Sequence, residues 1–209
     1  MNTRSLSTAF AAFAGVLLLA MAAGSAETIR FTGSMVQDKR DGITIVGEKD
    51  SGLIAVTSLR FHYALMLPYA EDWTFTREQG SLLRGTAGPV NLTLSAERNN
   101  ETPARHLERH KKDILSNPAA KGIGRIEVVT FKDEPVLREV QDGEAASGDA
   151  RFRGVKVHHF FAAKRWEKDL YVLHLSKVVG PGDRLDEKLF LNMVTKGFNV
   201  DFMRENGKK

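Results

Sequence analysis

The sequence predicts an α+β fold: an α/β/α sandwich whose central antiparallel sheet is covered by helices on both faces. Two long β-prone segments, 152–163 and 170–179, are joined by the short charged connector 164–169, which indicates an antiparallel hairpin. Apolar side chains point to both faces of this hairpin, so both faces need cover. Since two amphipathic helices are also predicted, helices are expected to supply that cover.

The N-terminal residues 1–26 have the pattern of a secretory signal peptide. Arg4 precedes an apolar run over residues 9–23, and the small residues Gly-Ser-Ala follow at 24–26. A single positive charge, a short Ala-rich apolar stretch and small residues at the cleavage site are typical of exported proteins. The mature protein is therefore expected to begin at Glu27, after cleavage following Ala26, and to be periplasmic or secreted.

Residues 27–57 are predicted to form an N-terminal β-hairpin or a lead-in segment, and residues 58–209 to form the sandwich domain. The first strand of that domain shows alternating apolar residues and ends at a proline, as strands often do. Its members are Phe61, Tyr63, Leu65, Leu67 and the terminating Pro68.

Capping signals in the sequence predict two helices. Thr102-Pro103 places a favoured N-cap residue before a proline in the first turn, and Pro118 stops the pattern. Strands are predicted over 125–131 and 135–140, and residues 141–151 read as a small, polar loop. The last helix is expected to be capped by Asp183, with an apolar face formed by Leu185, Leu189 and Met193.

This order of elements resembles the PsbP-like superfamily. The residues that carry the likeness are the segment 61–68 (Phe-His-Tyr-Ala-Leu-Met-Leu-Pro) with Trp73 shortly after it, the strand at 91–94, and the helix after Thr102. With the closing helix they cover roughly residues 59–202. The resemblance implies an α/β/α sandwich that acts as an accessory or binding module; it implies no partner and no functional residue.

Composition excludes several classes of function. The chain contains no cysteine, which excludes disulfides, a lipoprotein anchor, thiol redox chemistry and thiolate metal sites. The formal net charge is +4, with acidic and basic residues interspersed. Nucleic acid is disfavoured as a partner because of the export signal and the lack of a long basic block. Peripheral contact with an anionic membrane surface stays open.

Histidines are the candidate ligands for a divalent metal, although no cofactor is predicted. If the hairpin is symmetric about Trp166-Glu167, His159 lies directly opposite His174, and the two rings could share a metal or a proton. The alternative is a neutral, hydrogen-bonded pair beneath a helix. His106 and His110 share a helix face at i, i+4 spacing, but the four cationic residues around them oppose a dication.

The predicted function is that of an exported, non-catalytic accessory or binding protein of the cell envelope, with a protein as its partner. No nucleophile motif or complete phosphate or dinucleotide loop supports an enzyme. The hairpin tip Arg165-Trp166-Glu167 is the candidate contact, because an aromatic residue beside arginine is a common interface composition. Two alternatives remain: a metal-assisted hydrolase that uses His159 and His174, and a binder of anionic envelope surfaces. The oligomeric state stays open.

Overall fold

The computed structural model describes residues 28–39, 42–77, 80–118 and 120–200. The predicted signal peptide and Glu27 lie outside these residues. The described strands, in chain order, are β1 (Thr28–Arg30), β2 (Val36–Asp38), β3 (Ile43–Glu48), β4 (Leu53–Ser58), β5 (Tyr63–Pro68), β6 (Thr74–Thr76), β7 (Leu83–Ala87), β8 (Val90–Arg98), β9 (Ile123–Phe131), β10 (Glu134–Asp142), β11 (Lys156–Trp166), β12 (Asp169–Val179) and β13 (Phe198–Val200). The helices are α1 (Pro103–Ser116), α2 (Gly143–Ser147) and α3 (Glu187–Thr195).

The larger sheet has eight strands in the order β1-β6-β7-β8-β12-β11-β10-β9, all antiparallel. Its centre is the predicted hairpin, in which β11 and β12 each span 11 residues. The hairpin turns at Glu167 and Lys168, with Trp166 opposite Asp169. Glu167 has a φ of 52°, the left-handed conformation that tight two-residue hairpin turns require.

The smaller sheet has five strands in the order β13-β5-β4-β3-β2. One face of this sheet, called the inner face below, packs against the larger sheet and forms the main core with it. Alternation along each strand sends every second side chain to this face, and these side chains are fully buried. They include Ile43, Ile45, Ile54, Val56, Tyr63, Leu65 and Leu67.

Helix α1 lies against the other face of the larger sheet, over β9, β10 and β11. It begins as predicted: the Thr102 side chain accepts a hydrogen bond from the backbone N–H of Arg105, and Pro103 occupies the first turn. Leu107 is its fully buried apolar residue. A small second core forms beneath the helix from Leu107, Leu137, Phe161, Ala163 and Leu170.

The remaining helices differ in detail from the sequence prediction. Helix α2 and a 3-10 turn at Ala150–Phe152 occupy much of the segment predicted as a polar loop. Helix α3 is capped by Asp186 instead of Asp183. It packs on the main-core side of the larger sheet, where the Phe190 ring stacks on Phe160 with centroids 5.6 Å apart.

The predicted α/β/α sandwich is therefore wrong, because the described residues form mostly β structure in two antiparallel sheets. Helix α1 covers part of one face of the larger sheet. The opposite face is covered mainly by the second sheet, with α3 beside it. The hairpin strands do need cover on both faces, but a sheet meets that need as well as a helix. No helix among the described residues is both long enough and apolar enough to span a bilayer.

Candidate functional site

The candidate metal ligands His159 and His174 lie side by side on the α1 face of the larger sheet. His159 Nδ1 is 2.9 Å from His174 Nε2, and the ring centroids are 5.2 Å apart. The predicted register is wrong by two residues, since His159 lies opposite Ser176 and His174 opposite Phe161. A shift of two residues keeps every side chain on its face, so the rings still meet as diagonal neighbours.

An array of rings connects this pair to helix α1. The Phe161 ring stacks on His174 with a centroid distance of 4.2 Å and an interplanar angle of 9°. His110, from α1, contacts the same Phe161 ring edge-on at 4.8 Å. His106 stacks on His110 at 6.5 Å, so the predicted i, i+4 pair does share one side of the helix. All four histidines therefore lie between α1 and the sheet or at the margin of that contact.

Burial keeps the central histidines neutral at neutral pH. It lowers the pKa of His159 to about 4, and the neighbouring His158 contributes in the same direction. The pKa of His174 is lowered well below its ordinary value by burial, with further contributions from His159 and His110. Glu139 lies directly opposite His159 on the neighbouring strand β10, and burial raises the pKa of its carboxyl group. The low-dielectric environment thus favours the uncharged form of each group.

The chemistry available to the pair depends on which ring nitrogen of His159 carries the proton. In a neutral pair, one ring donates its N–H and the other accepts, so the tautomer of His159 decides what its second nitrogen presents. That nitrogen, Nε2, is buried and has no hydrogen-bond partner among the described residues. If His159 Nδ1 carries the proton, Nε2 offers a lone pair for a proton or a metal. No group of three or more potential ligand residues within the described parts of the chain is arranged to hold a metal ion.

His106 takes part in an ion-pair cluster at the start of α1. Its Nδ1 lies 3.4 Å from a Glu97 carboxylate oxygen, 3.5 Å from one of Glu101, and 3.1 Å from the Arg109 guanidinium. Arg109 also donates to Glu101 at 2.9 Å, and this hydrogen bond lowers the pKa of Glu101. These contacts fix the junction between β8 and α1.

The predicted contact residues Arg165, Trp166 and Glu167 have different surroundings. The Arg165 guanidinium donates to the backbone carbonyl of Asn99 at 2.8 Å and also to that of Glu101. The Trp166 ring stacks on His62 with centroids 4.1 Å apart and is half-buried against the main core. Glu167 alone of the three is exposed. The tip is thus held by contacts with two other loops.

An open depression of about 460 Å³ lies at the other end of the same hairpin. Its lining includes Lys156, His158, Arg184 and Glu187 but neither His159 nor His174. Burial lowers the pKa of His158, and the Glu187 carboxylate opposes that effect. The depression is therefore separate from the histidine array, which lies on the opposite face of the sheet.

Sequence reasoning missed the outward face of the five-stranded sheet, called the outer face below. Its middle row runs Val46–Ala55–Met66 across β3, β4 and β5. Val46 is 45% exposed and Met66 is 37% exposed. The flanking positions are small or uncharged, apart from Glu48 at one end; they are Gln37, Thr44, Leu53, Thr57, Ala64, Pro68 and Asn199. The signal in the sequence was the near absence of charge at both alternating positions of the three strands within residues 43–68, where Glu48 is the one charged residue.

Comparison with known proteins yields similarity to solved structures. No protein-family profile matches the chain, and no curated protein matches it. The solution structure of cyanobacterial PsbP (CyanoP) from Synechocystis sp. PCC 6803 is similar, with 14% sequence identity and a TM-score of 0.42. The match covers 89% of this chain and 99% of that one. The similarity agrees with the resemblance seen in the sequence; it transfers no residue role, partner or activity to this chain.

Proposed function

We propose that this chain is an exported, non-catalytic accessory protein of the cell envelope that binds another protein through the outer face. The observation that carries the proposal is the apolar row Val46–Ala55–Met66 at the centre of that face, in which Val46 and Met66 are exposed and Ala55 is partly buried. An antiparallel sheet with one buried face normally presents polar side chains on the other. A contiguous exposed apolar patch is instead typical of an interaction surface.

The charge distribution of the outer face favours a protein, and not an anionic membrane, as the partner that binds there. Among the described outward positions of this sheet, Glu48 is the charged residue, and lysine and arginine are absent. An anionic membrane attracts clusters of lysine and arginine, which these positions do not supply. Depletion of charge at the centre of a patch is characteristic of protein interfaces. Export itself rests on the signal pattern of residues 1–26.

Site-specific crosslinking tests the proposal. A photoreactive amino acid at Met66 should crosslink to one discrete protein in the envelope fraction. The same probe at Leu115, which is 57% exposed on α1, should not yield that product. The double variant Val46→Thr with Met66→Gln keeps a strand-compatible surface while removing apolar area. We expect it to weaken capture at least tenfold without lowering the melting temperature appreciably.

Two results would contradict the proposal. Equal crosslinking from Met66 and Leu115 would show that the outer face is not selective. Hydrolysis of an ester, phosphoester or peptide by the purified protein, stimulated by zinc and lost in His159→Ala or His174→Ala, would instead support the metal-assisted hydrolase.

A further inference from the structure

Edge strand β9 differs from the other sheet edges. The edges β1, β2 and β13 are strands of three residues, whereas β9 spans nine residues. It pairs only with β10 among the described strands. An edge strand presents a row of backbone N–H and C=O groups that another strand can pair with, and short edges are one way in which proteins avoid this. Strand β9 lacks that protection.

Side chains along β9 add apolar surface on both faces of the sheet. Ile126 and Val128 contact the small core beneath α1, and Val129 and Phe131 contact the main core. All four are only partly buried. A strand added alongside β9 would cover these side chains further and extend both cores, in the manner of strand addition at an exposed sheet edge.

The charge pattern of β9 matches a second copy of itself. Arg125 and Glu127 flank Ile126 and point to the same face, where Arg125 contacts Glu127 and Arg138 lies 3.4 Å from Glu127. If two β9 strands pair antiparallel with Ile126 opposite Ile126, each Arg125 lies opposite Glu127 of the second copy. Opposite charges that face each other directly across a strand pair are stabilising.

Neighbouring registers lack this complementarity. Centring the pair on Glu127 places two carboxylates opposite each other, which is destabilising. Centring it on Val128 places Glu127 opposite Val129 and Arg125 opposite Phe131, so neither charge finds a partner. The pattern Arg-Ile-Glu is self-complementary about Ile126, as an interface with two-fold symmetry requires.

We propose that the protein forms a homodimer through antiparallel pairing of β9 with β9 of a second copy, centred on Ile126. The two eight-stranded sheets then join into one continuous sheet across the two-fold axis. The outer face belongs to the other sheet, so a dimer formed in this way leaves the proposed partner surface open on each copy.

Charge reversal at β9 tests the proposal by sedimentation velocity over 1–200 µM protein. Wild type should show a reversible monomer–dimer equilibrium. Glu127→Arg should weaken dimerisation at least tenfold, because two pairs of arginines then face each other, and Arg125→Glu should do the same with two pairs of carboxylates. The combined variant Arg125→Glu with Glu127→Arg should return the dissociation constant to within about threefold of wild type. Glu108→Arg, a reversal at an exposed position on α1, is the matched control.

A monomeric wild type throughout this range would overturn the proposal, and so would a combined variant as monomeric as the single variants. Circular dichroism of every variant guards against misfolding, and recovery in the combined variant cannot come from an unfolded chain. Crosslinking from Met66 in the Glu127→Arg background reports separately on the outer face. Either proposal can therefore fail while the other stands.

Discussion

Lowering the pH from 7 to 4 should destabilise the protein through the buried histidine pair. The pKa of His159 is about 4 in the folded protein, against an ordinary value of 6.5. Between these values the unfolded chain binds a proton that the folded protein excludes, so the free energy of unfolding falls as the pH falls. The contribution is fully present above pH 6.5 and is lost progressively down to about pH 4.

The magnitude follows from the size of that difference. Each unit between the unfolded and folded pKa is worth about 1.4 kcal/mol, which gives about 3 kcal/mol for His159. His174 acts in the same direction because its pKa is also lowered. Glu139 opposes it, since its raised pKa makes the folded protein bind the proton more readily in an overlapping window. A loss of about 3 kcal/mol is a large part of the stability of an ordinary domain.

Urea denaturation followed by circular dichroism at pH 7, 6, 5 and 4.5 measures this effect. With an m-value of about 2 kcal/mol per molar urea, the midpoint should fall by about 1 to 1.5 M over the range. His159→Gln, which cannot titrate, should remove part of the pH dependence, and the double variant His159→Gln with His174→Gln should remove most of it. His158→Gln is the comparison variant and should remove less, because Glu187 opposes the burial effect at that ring. A midpoint in His159→Gln that falls as steeply as in wild type would refute the reasoning.

Two further predictions concern packing. In Gly47→Ala, the new Cβ would lie 2.3 Å from the Phe31 ring, so the free energy of unfolding measured in urea should fall by about 2–3 kcal/mol. The control is Gly124→Ala, whose Cβ meets no atom closer than 3.7 Å and whose free energy of unfolding should stay within about 1 kcal/mol of wild type. A wild-type midpoint in Gly47→Ala would contradict the close approach of β3 to Phe31. Trp166→Ala should cost about 2 kcal/mol because it removes the stack on His62 and a half-buried ring; an unchanged melting temperature would show that the ring is not packed.

Local signals predicted several elements correctly. Thr102-Pro103 marks the start of α1, and the alternation that ends at Pro68 marks β5. The last helix was displaced at its start because Asp183 and Asp186 are equivalent capping signals in the sequence. These signals work over a few residues, where backbone chemistry decides the structure.

Long-range pairing was less predictable. Apolar residues on both faces of β11 and β12 show that cover is needed, but they do not distinguish a sheet from a helix. The register of the hairpin depends on a turn at Glu167 and Lys168 that has no asparagine or glycine to mark it. His159 and His174 still meet because an error of two residues preserves the face. The outer face was missed because alternation in a short strand shows which side chains share a face, but it does not show which face is buried until the partner sheet is known.

The first and the last described strands each lie in a different sheet from their neighbours in sequence, and this arrangement affects the order of folding. Strand β1 joins the larger sheet beside β6, and β13 returns to the smaller sheet, where Phe198 pairs with Leu65. Strands β2 to β5 can pair with one another first, and the edge strand β13 can be added only when residues 198–200 are available. Contacts so distant in sequence slow folding. A truncation before Phe198 would remove β13 and leave the backbone edge of β5 open to pairing with other chains.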